Sequence, residues 1–228
     1  MSKLSVFKYL LPIILFIPFT VFGHGVDDNT RYFLQSNDSV QIVPFLYIGA
    51  KHMVTGYDHL LFLFGVLFFL SQKRDVLIYV SLFTLGHSIT LLTGVLASIS
   101  INPYLIDAII GFSVFYKGFE NIGGFQRVFK TAPNTRLMVM IFGLIHGFGL
   151  ASKLQEFQLN SDSLLGNLVA FNIGVELGQV MALTFIFIAI QYWQKHNSFQ
   201  RFTSVSNTLL MSCGLMLIGY QLTGLITQ

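Results

Sequence analysis

Apolar positions dominate six long segments of the chain, at 44–71, 76–98, 103–121, 136–152, 164–193 and 207–226. None shows the two-residue alternation of a membrane strand, so the pattern predicts helices. Most approach the roughly 20 residues needed to cross a hydrocarbon core, and the first and fifth are long enough to tilt or break. The expected fold class is an all-α integral membrane protein with six transmembrane helices after a cleavable signal peptide. In that signal, Lys3 and Lys8 form a basic start and Leu10 to Val21 a short apolar run, with Val21 and Gly23 suiting a cleavage site. The implied organisation is a signal peptide at 1–23, a short extracytoplasmic segment at 24–43, and a single transmembrane domain at 44–228.

Composition agrees with this pattern. Hydrophobic residues make up 54% and charged residues 10%, against about 25% charged in soluble domains. The basic excess lies in short loops, which argues against nucleic-acid binding and leaves the lipid bilayer as the main partner. Lys73 and Arg74 follow the first segment, Arg127, Lys130 and Arg136 the third, and Lys195 and Arg201 the fifth. The loop "SISINP" and the C-terminal "TGLITQ" carry no charge. By the positive-inside rule the basic loops face the cytoplasm, so both mature termini lie outside a bacterial-type inner or plasma membrane. The single cysteine, Cys213, sits in an apolar run and reads as a small core residue.

Several ionisable groups occupy the middle of these segments, where a charge costs at least ~2.5–3.5 kcal/mol on insertion scales. Asp58 and His59 lie on the first, His87 on the second and His146 on the fourth. On the fifth, Asn172, Glu176 and Gln179 follow at i, i+4 and i+7, which predicts one helical face. Imidazole with carboxylate is the ligand set of a divalent transition metal. The expected metal residues are His52, Asp58, His59, His87, His146 and Glu176, with Asn172, Gln179, Glu120 and His24 in a supporting shell or along the pathway. His52 and His59 would stand about 10 Å apart along a straight helix, so they can share an ion only if Gly56 breaks it. Cleavage after Gly23 would give His24 a free amine beside its imidazole.

Other polar groups have blander readings. Lys117 and Glu120 suit a snorkelling ion pair, with an inner gate as the alternative. Asp107 reads as solvated. Ser88, Thr90 and Thr93 suit hydrogen bonds to backbone carbonyls. "FTLGH" and "FGLIH" share an F-x-L-x-H pattern, too short a match to establish a repeat.

"HMVTGYDH" fits an H-x5-D-H pattern, and "FTLGHSITL", "GFENI", "FGLIHGFGLA" and "FNIGVELGQ" follow in order. Together these blocks resemble the HupE/UreJ family, and its second subfamily in particular. The family is regarded as nickel/cobalt permeases associated with hydrogenase and urease accessory genes. The resemblance implies that His52, Asp58 and His59 form the first motif and His146 and Gly147 the second. It also implies nickel or cobalt as the ion, with zinc possible, and metalloenzyme maturation proteins as partners. "HGFGLASKL" lacks the glutamate with which the best-known nickel members continue the second motif, and Glu176 is the expected substitute.

The leading expectation is therefore a metal permease rather than an enzyme, driven by a gradient or the membrane potential. An intramembrane metal-dependent hydrolase would use the same ligands. Haem held by His87 and His146 is a third reading.

Overall fold

The computed structural model describes residues 40–155 and 161–227, and every element among them is a helix. In chain order these are α1 (Ile42–Thr55), α2 (Tyr57–Leu67), α3 (Lys73–Leu96), α4 (Pro103–Asn121), α5 (Gly124–Phe129), α6 (Thr135–Gln155), α7 (Ser161–Gln194) and α8 (Asn197–Ile226). The expected signal peptide, His24 and most of the segment after it lie outside the described residues. Among the described residues, four helices are long and apolar enough to cross a membrane: α3, α6, α7 from Ser163 onward, and α8. The short α5 was not expected. It occupies the connection between the third and fourth apolar segments.

Local chemistry sets several boundaries. Asn102 accepts from the Tyr104 N–H at 2.9 Å, and Pro103 occupies the first turn of α4, where its missing N–H costs nothing. The Asn134 side chain accepts from the Arg136 and Leu137 N–H groups at 3.0 and 3.2 Å and starts α6. The first apolar segment is broken. Gly56 leaves the helical region (φ −73°, ψ 93°), closing α1 with its N–H on the His52 carbonyl and opening α2. Asp58 falls in the first turn of α2, where the helix dipole favours a negative charge.

The bundle is made of three close helix pairs. α1 runs parallel to α7: Gln41 N–H donates to Asn167 at 2.7 Å near one end, and at the other Gln194 and Gln191 donate to the Phe68 and Leu70 carbonyls at 2.9 Å. α3 runs parallel to α6, with Thr90 donating to the Leu144 carbonyl at 2.6 Å and Gln155 to Gly94 at 3.0 Å. α4 and α8 are antiparallel, joined by Asn121 donating to Asn207 at 2.9 Å at one end, while Gly224 lies against Tyr104 at the other. Small residues let the backbones of each pair approach closely, the usual device where lipid supplies no hydrophobic drive between helices. Leucines, isoleucines and other apolar side chains remain exposed on most outer faces.

Among the described residues, the Lys117–Glu120 pair forms as expected and a Lys153–Asp107 pair forms that was not, and both are drawn into the bundle. Lys117 does not snorkel; it is 6% exposed and donates to Glu120 at 2.6 Å. Glu120 in turn accepts from Thr135, which ties α4 to the start of α6. Asp107 is not simply solvated, because Lys153 reaches back from α6 to hold it at 2.8 Å. A charge shared with a neighbouring helix is cheaper to bury than one left to reach the interface alone.

Candidate metal centre

The break at Gly56 builds the site. A straight helix would hold His52 and His59 apart, but the turn brings their ring centroids to 5.5 Å. His59 is then surrounded by imidazoles from two other helices: His146 of α6 at 4.7 Å and His87 of α3 at 6.4 Å. Two imidazoles bound to one ion by bonds of about 2.0–2.1 Å would have centroids roughly 5–6 Å apart. The observed spacings straddle that figure. Among the described residues no three His, Cys, Asp or Glu side chains form a ready-made cage, so the arrangement is pairwise around His59.

Hydrogen bonds orient the His59 and His146 rings. His59 Nδ1 lies 2.7 Å from Asp58 Oδ1, which also accepts the His59 backbone N–H at 2.6 Å. Donation from Nδ1 to the carboxylate leaves the lone pair on Nε2, the carboxylate–imidazole pairing that raises ligand basicity. The Ser113 hydroxyl donates to the Ile110 carbonyl at 2.6 Å, so at 3.2 Å from His146 Nε2 it acts as acceptor. That leaves the His146 lone pair on Nδ1. Neither ring nitrogen of His87 has a hydrogen-bond partner among the described residues, although the side chain is 1% exposed.

Aromatic rings close the surroundings. Phe62 and Phe83 stand 5.6 and 5.1 Å from the His146 ring, and Phe171 stands 6.3 Å from that of His52. Asp58, His59, His87 and His146 are all buried, while His52 is half-buried. The cluster thus has one more open member.

The residues of α7 do something else. Asn172 donates to Ser88 at 3.0 Å and Gln179 accepts from Thr84 at 2.9 Å, which stitches α7 to α3. Ser88 therefore bonds a side chain rather than the backbone carbonyl expected of it, whereas Thr90 and Thr93 do bond carbonyls. Glu176 does not join the histidines; its side chain is exposed. The i, i+4, i+7 reading treated the three as one face, yet Glu176 sits roughly 60° around the helix from Gln179. That rotation carries it past the edge of the seam. Glu120 is engaged with Lys117 and Thr135, away from the cluster, and His24 lies outside the described residues. Ser113 was missed. Nothing but its burial beside an imidazole sets it apart from the many serines that bond their own helix.

In comparisons with known proteins, residues 28–228 match the family described as HupE / UreJ protein. No curated protein and no solved structure matches the chain.

Proposed function

The chain belongs to the HupE/UreJ family, and from that premise we propose that it is a permease for a divalent transition metal, nickel or cobalt foremost and zinc after them. The observation that carries this reading is the gathering of His52, Asp58, His59, His87 and His146 where one apolar segment breaks. Broken helices at mid-bundle are how secondary transporters build ion sites within the membrane. Neutral imidazoles with one carboxylate favour nickel, cobalt and zinc over magnesium or calcium, which prefer oxygen. A dication arriving beside Asp58 also offsets the buried negative charge.

His52, the more open member, receives the ion. His59, oriented by Asp58, is the central ligand, and His87 and His146 complete the coordination in turn. The metal is cargo, so pairwise contacts suit the task better than a closed cage that would not let go. Six crossings with both mature termini outside follow from the basic connections. An inside-negative potential then drives the ion in, at ~2.3 kcal/mol per charge per 100 mV. Family association points to metalloenzyme maturation proteins as the recipients.

The test is uptake of nickel, cobalt and zinc into liposomes under an inside-negative potential. Wild type is expected to move at least one of them, and His59→Ala at matched protein level to move none. A wild-type protein that moves no metal but retains one tightly would overturn the permease and favour an intramembrane metal-dependent enzyme.

A further inference from the structure

The close approaches between helices follow a reciprocal rule. A Cβ added at Gly49 of α1 would meet the Phe171 carbonyl of α7, and one at Gly174 of α7 would meet Leu46 of α1. In the other parallel pair, a Cβ at Gly143 of α6 would meet the Phe83 carbonyl of α3, and one at Gly86 of α3 would meet Met140 of α6. In all four cases the residue struck lies three positions before the opposing glycine. α1 packs on α7 as α6 packs on α3.

The correspondence continues outward from these glycines. The shift that takes Gly49 to Gly143 takes Ala50 to Leu144, and the shift that takes Gly86 to Gly174 takes Thr90 to Gly178. Thr90 bonds the Leu144 carbonyl at 2.6 Å, and a Cβ at Gly178 would meet the Ala50 carbonyl at the same 2.6 Å. In the third pair, Gly111 lies against Ile218 and Gly214 against Phe115, each four positions beyond the opposing glycine. That is what an antiparallel pair shows when a two-fold axis exchanges its members. The shift from Gly111 to Gly214 also takes Tyr104 to Asn207 and Asn121 to Gly224. The contact of Tyr104 with Gly224 thereby exchanges with the bond between Asn121 and Asn207.

Exposure obeys the same operation. Val43 and Leu137, Leu77 and Leu165, Leu85 and Ile173, and Phe112 and Leu215 are exposed at both members of each pair. Short sequence echoes survive as well: "GAKH" at Gly49 with "GLIH" at Gly143, and "FTLG" at Phe83 with "FNIG" at Phe171.

We infer that the chain is an inverted repeat, in which α1 with α2, α3 and α4 are matched by α6, α7 and α8 running the opposite way, and that His52 and His146 are the matched ligands through which metal is admitted from the two sides in turn. The same shift that takes Gly49 to Gly143 takes His52 to His146. These are the two rings nearest His59, at 5.5 and 4.7 Å. Related three-segment halves of opposite direction give a protein two packings of similar energy, one open to each side. In the present arrangement His52 is half-buried and His146 is 1% exposed, so the cluster is more exposed on the His52 side. Exchanging the conformations of the halves closes His52 and opens His146. The symmetry fails where the chemistry requires a single site. Asp58 and His59 of the broken segment correspond to Ser152 and Lys153 of the continuous α6, and Lys153 is held by Asp107.

This inference rests on the permease reading, but it can be tested apart from flux. Two pairs of spin labels exchange under the operation: Val43 with Leu96 at the end where α1 begins, and Leu137 with Thr184 at the end where α6 begins. All four positions are exposed, so labels there leave the packing intact. With Cys213→Ser as background, double electron–electron resonance in liposomes is recorded without metal and with zinc, a diamagnetic probe. The two distances are expected to shift in opposite senses, by roughly 2–5 Å. Shifts in the same sense, or none in either pair, overturn the inference. Transport without reciprocal shifts leaves the permease and removes the exchange. Reciprocal shifts in a protein that moves no metal do the reverse.

Discussion

At His59 a single carboxylate oxygen does two jobs, fixing the ring through Nδ1 and the first turn of α2 through the backbone N–H. Asp58→Asn keeps an oxygen for both but removes the negative charge and the basicity it lends the imidazole. Affinity for nickel, measured by titration calorimetry in detergent, is expected to fall about 10–100-fold with the fold intact, the usual size for a group one step from the metal. His59→Ala should lose more, since the lost ring is the common neighbour of His52, His87 and His146. Unchanged transport in Asp58→Asn would show that the buried charge is structural. Ser88→Ala carries a different expectation. Its hydroxyl accepts from Asn172, so its loss strands an amide and should cost about 0.6–1.7 kcal/mol of stability with little change in metal affinity. A melting shift in detergent without a calorimetric change is the pattern to look for. The burial of Asp58, His59, His87 and His146 was legible from sequence because a polar group amid leucine and phenylalanine is costly wherever it faces lipid. Glu176 and Ser88 were misplaced because their roles turn on a fraction of a helical turn, which spacing alone does not resolve.

At the scale of the helix, the glycines separate into those that admit a neighbouring backbone and those that do not. Gly49 and Gly143 each face a carbonyl of a partner helix, while nothing lies within 4 Å of a Cβ added at Gly219. A rigid backbone neighbour cannot swing aside as a side chain can, so Gly49→Val and Gly143→Val should each destabilise by about 1–3 kcal/mol. Gly219→Ala should be neutral or slightly favourable, because alanine is the better helix former. Thermal unfolding in detergent, followed by far-ultraviolet circular dichroism, distinguishes them. Equal stability of all three would mean that the close approaches relax at no cost. Segment positions were readable from the apolar runs, and α4 falls at 103–121 as expected. The break was foreseen only as a condition on His52 and His59. Gly56 has negative φ, a conformation open to other residues, so its identity alone did not demand a break. The repeat escaped for a related reason. The F-x-L-x-H match compares α3 with α6, whereas the structural correspondence joins α1 to α6 and α3 to α7. Packing preserves small residues and leaves most other side chains free to diverge.

For the whole molecule, the helix directions sort the connections into two ends. α2 and α7 finish where α3 and α8 begin, as the bonds from Gln191 and Gln194 to Leu70 and Phe68 require. α4 is antiparallel to α8 and α6 is parallel to α3, so the α4–α6 connection joins the same end. Arg136, in the first turn of α6, lies 3.9 Å from Asp75 at the start of α3, within reach of a loose surface pair. Lys73, Arg74, Arg127, Lys130, Arg136, Lys195 and Arg201 therefore gather at one end of the bundle. At the other, residues 97–102 carry no charge and Lys153 is neutralised by Asp107. Short basic connections stay on the cytoplasmic side during insertion, so the lysine- and arginine-rich end is expected inside. α8 leaves that end and finishes at Ile226 on the opposite side. A reporter fused after Gln228 should then be active outside the cytoplasm and silent within it, and one inserted between Lys195 and Ser198 should show the converse. Cytoplasmic activity at Gln228 with outside activity at the 195–198 insertion would mean that the bundle is inserted the other way up. A pair of like readings from the two fusions would place α8 outside the membrane altogether.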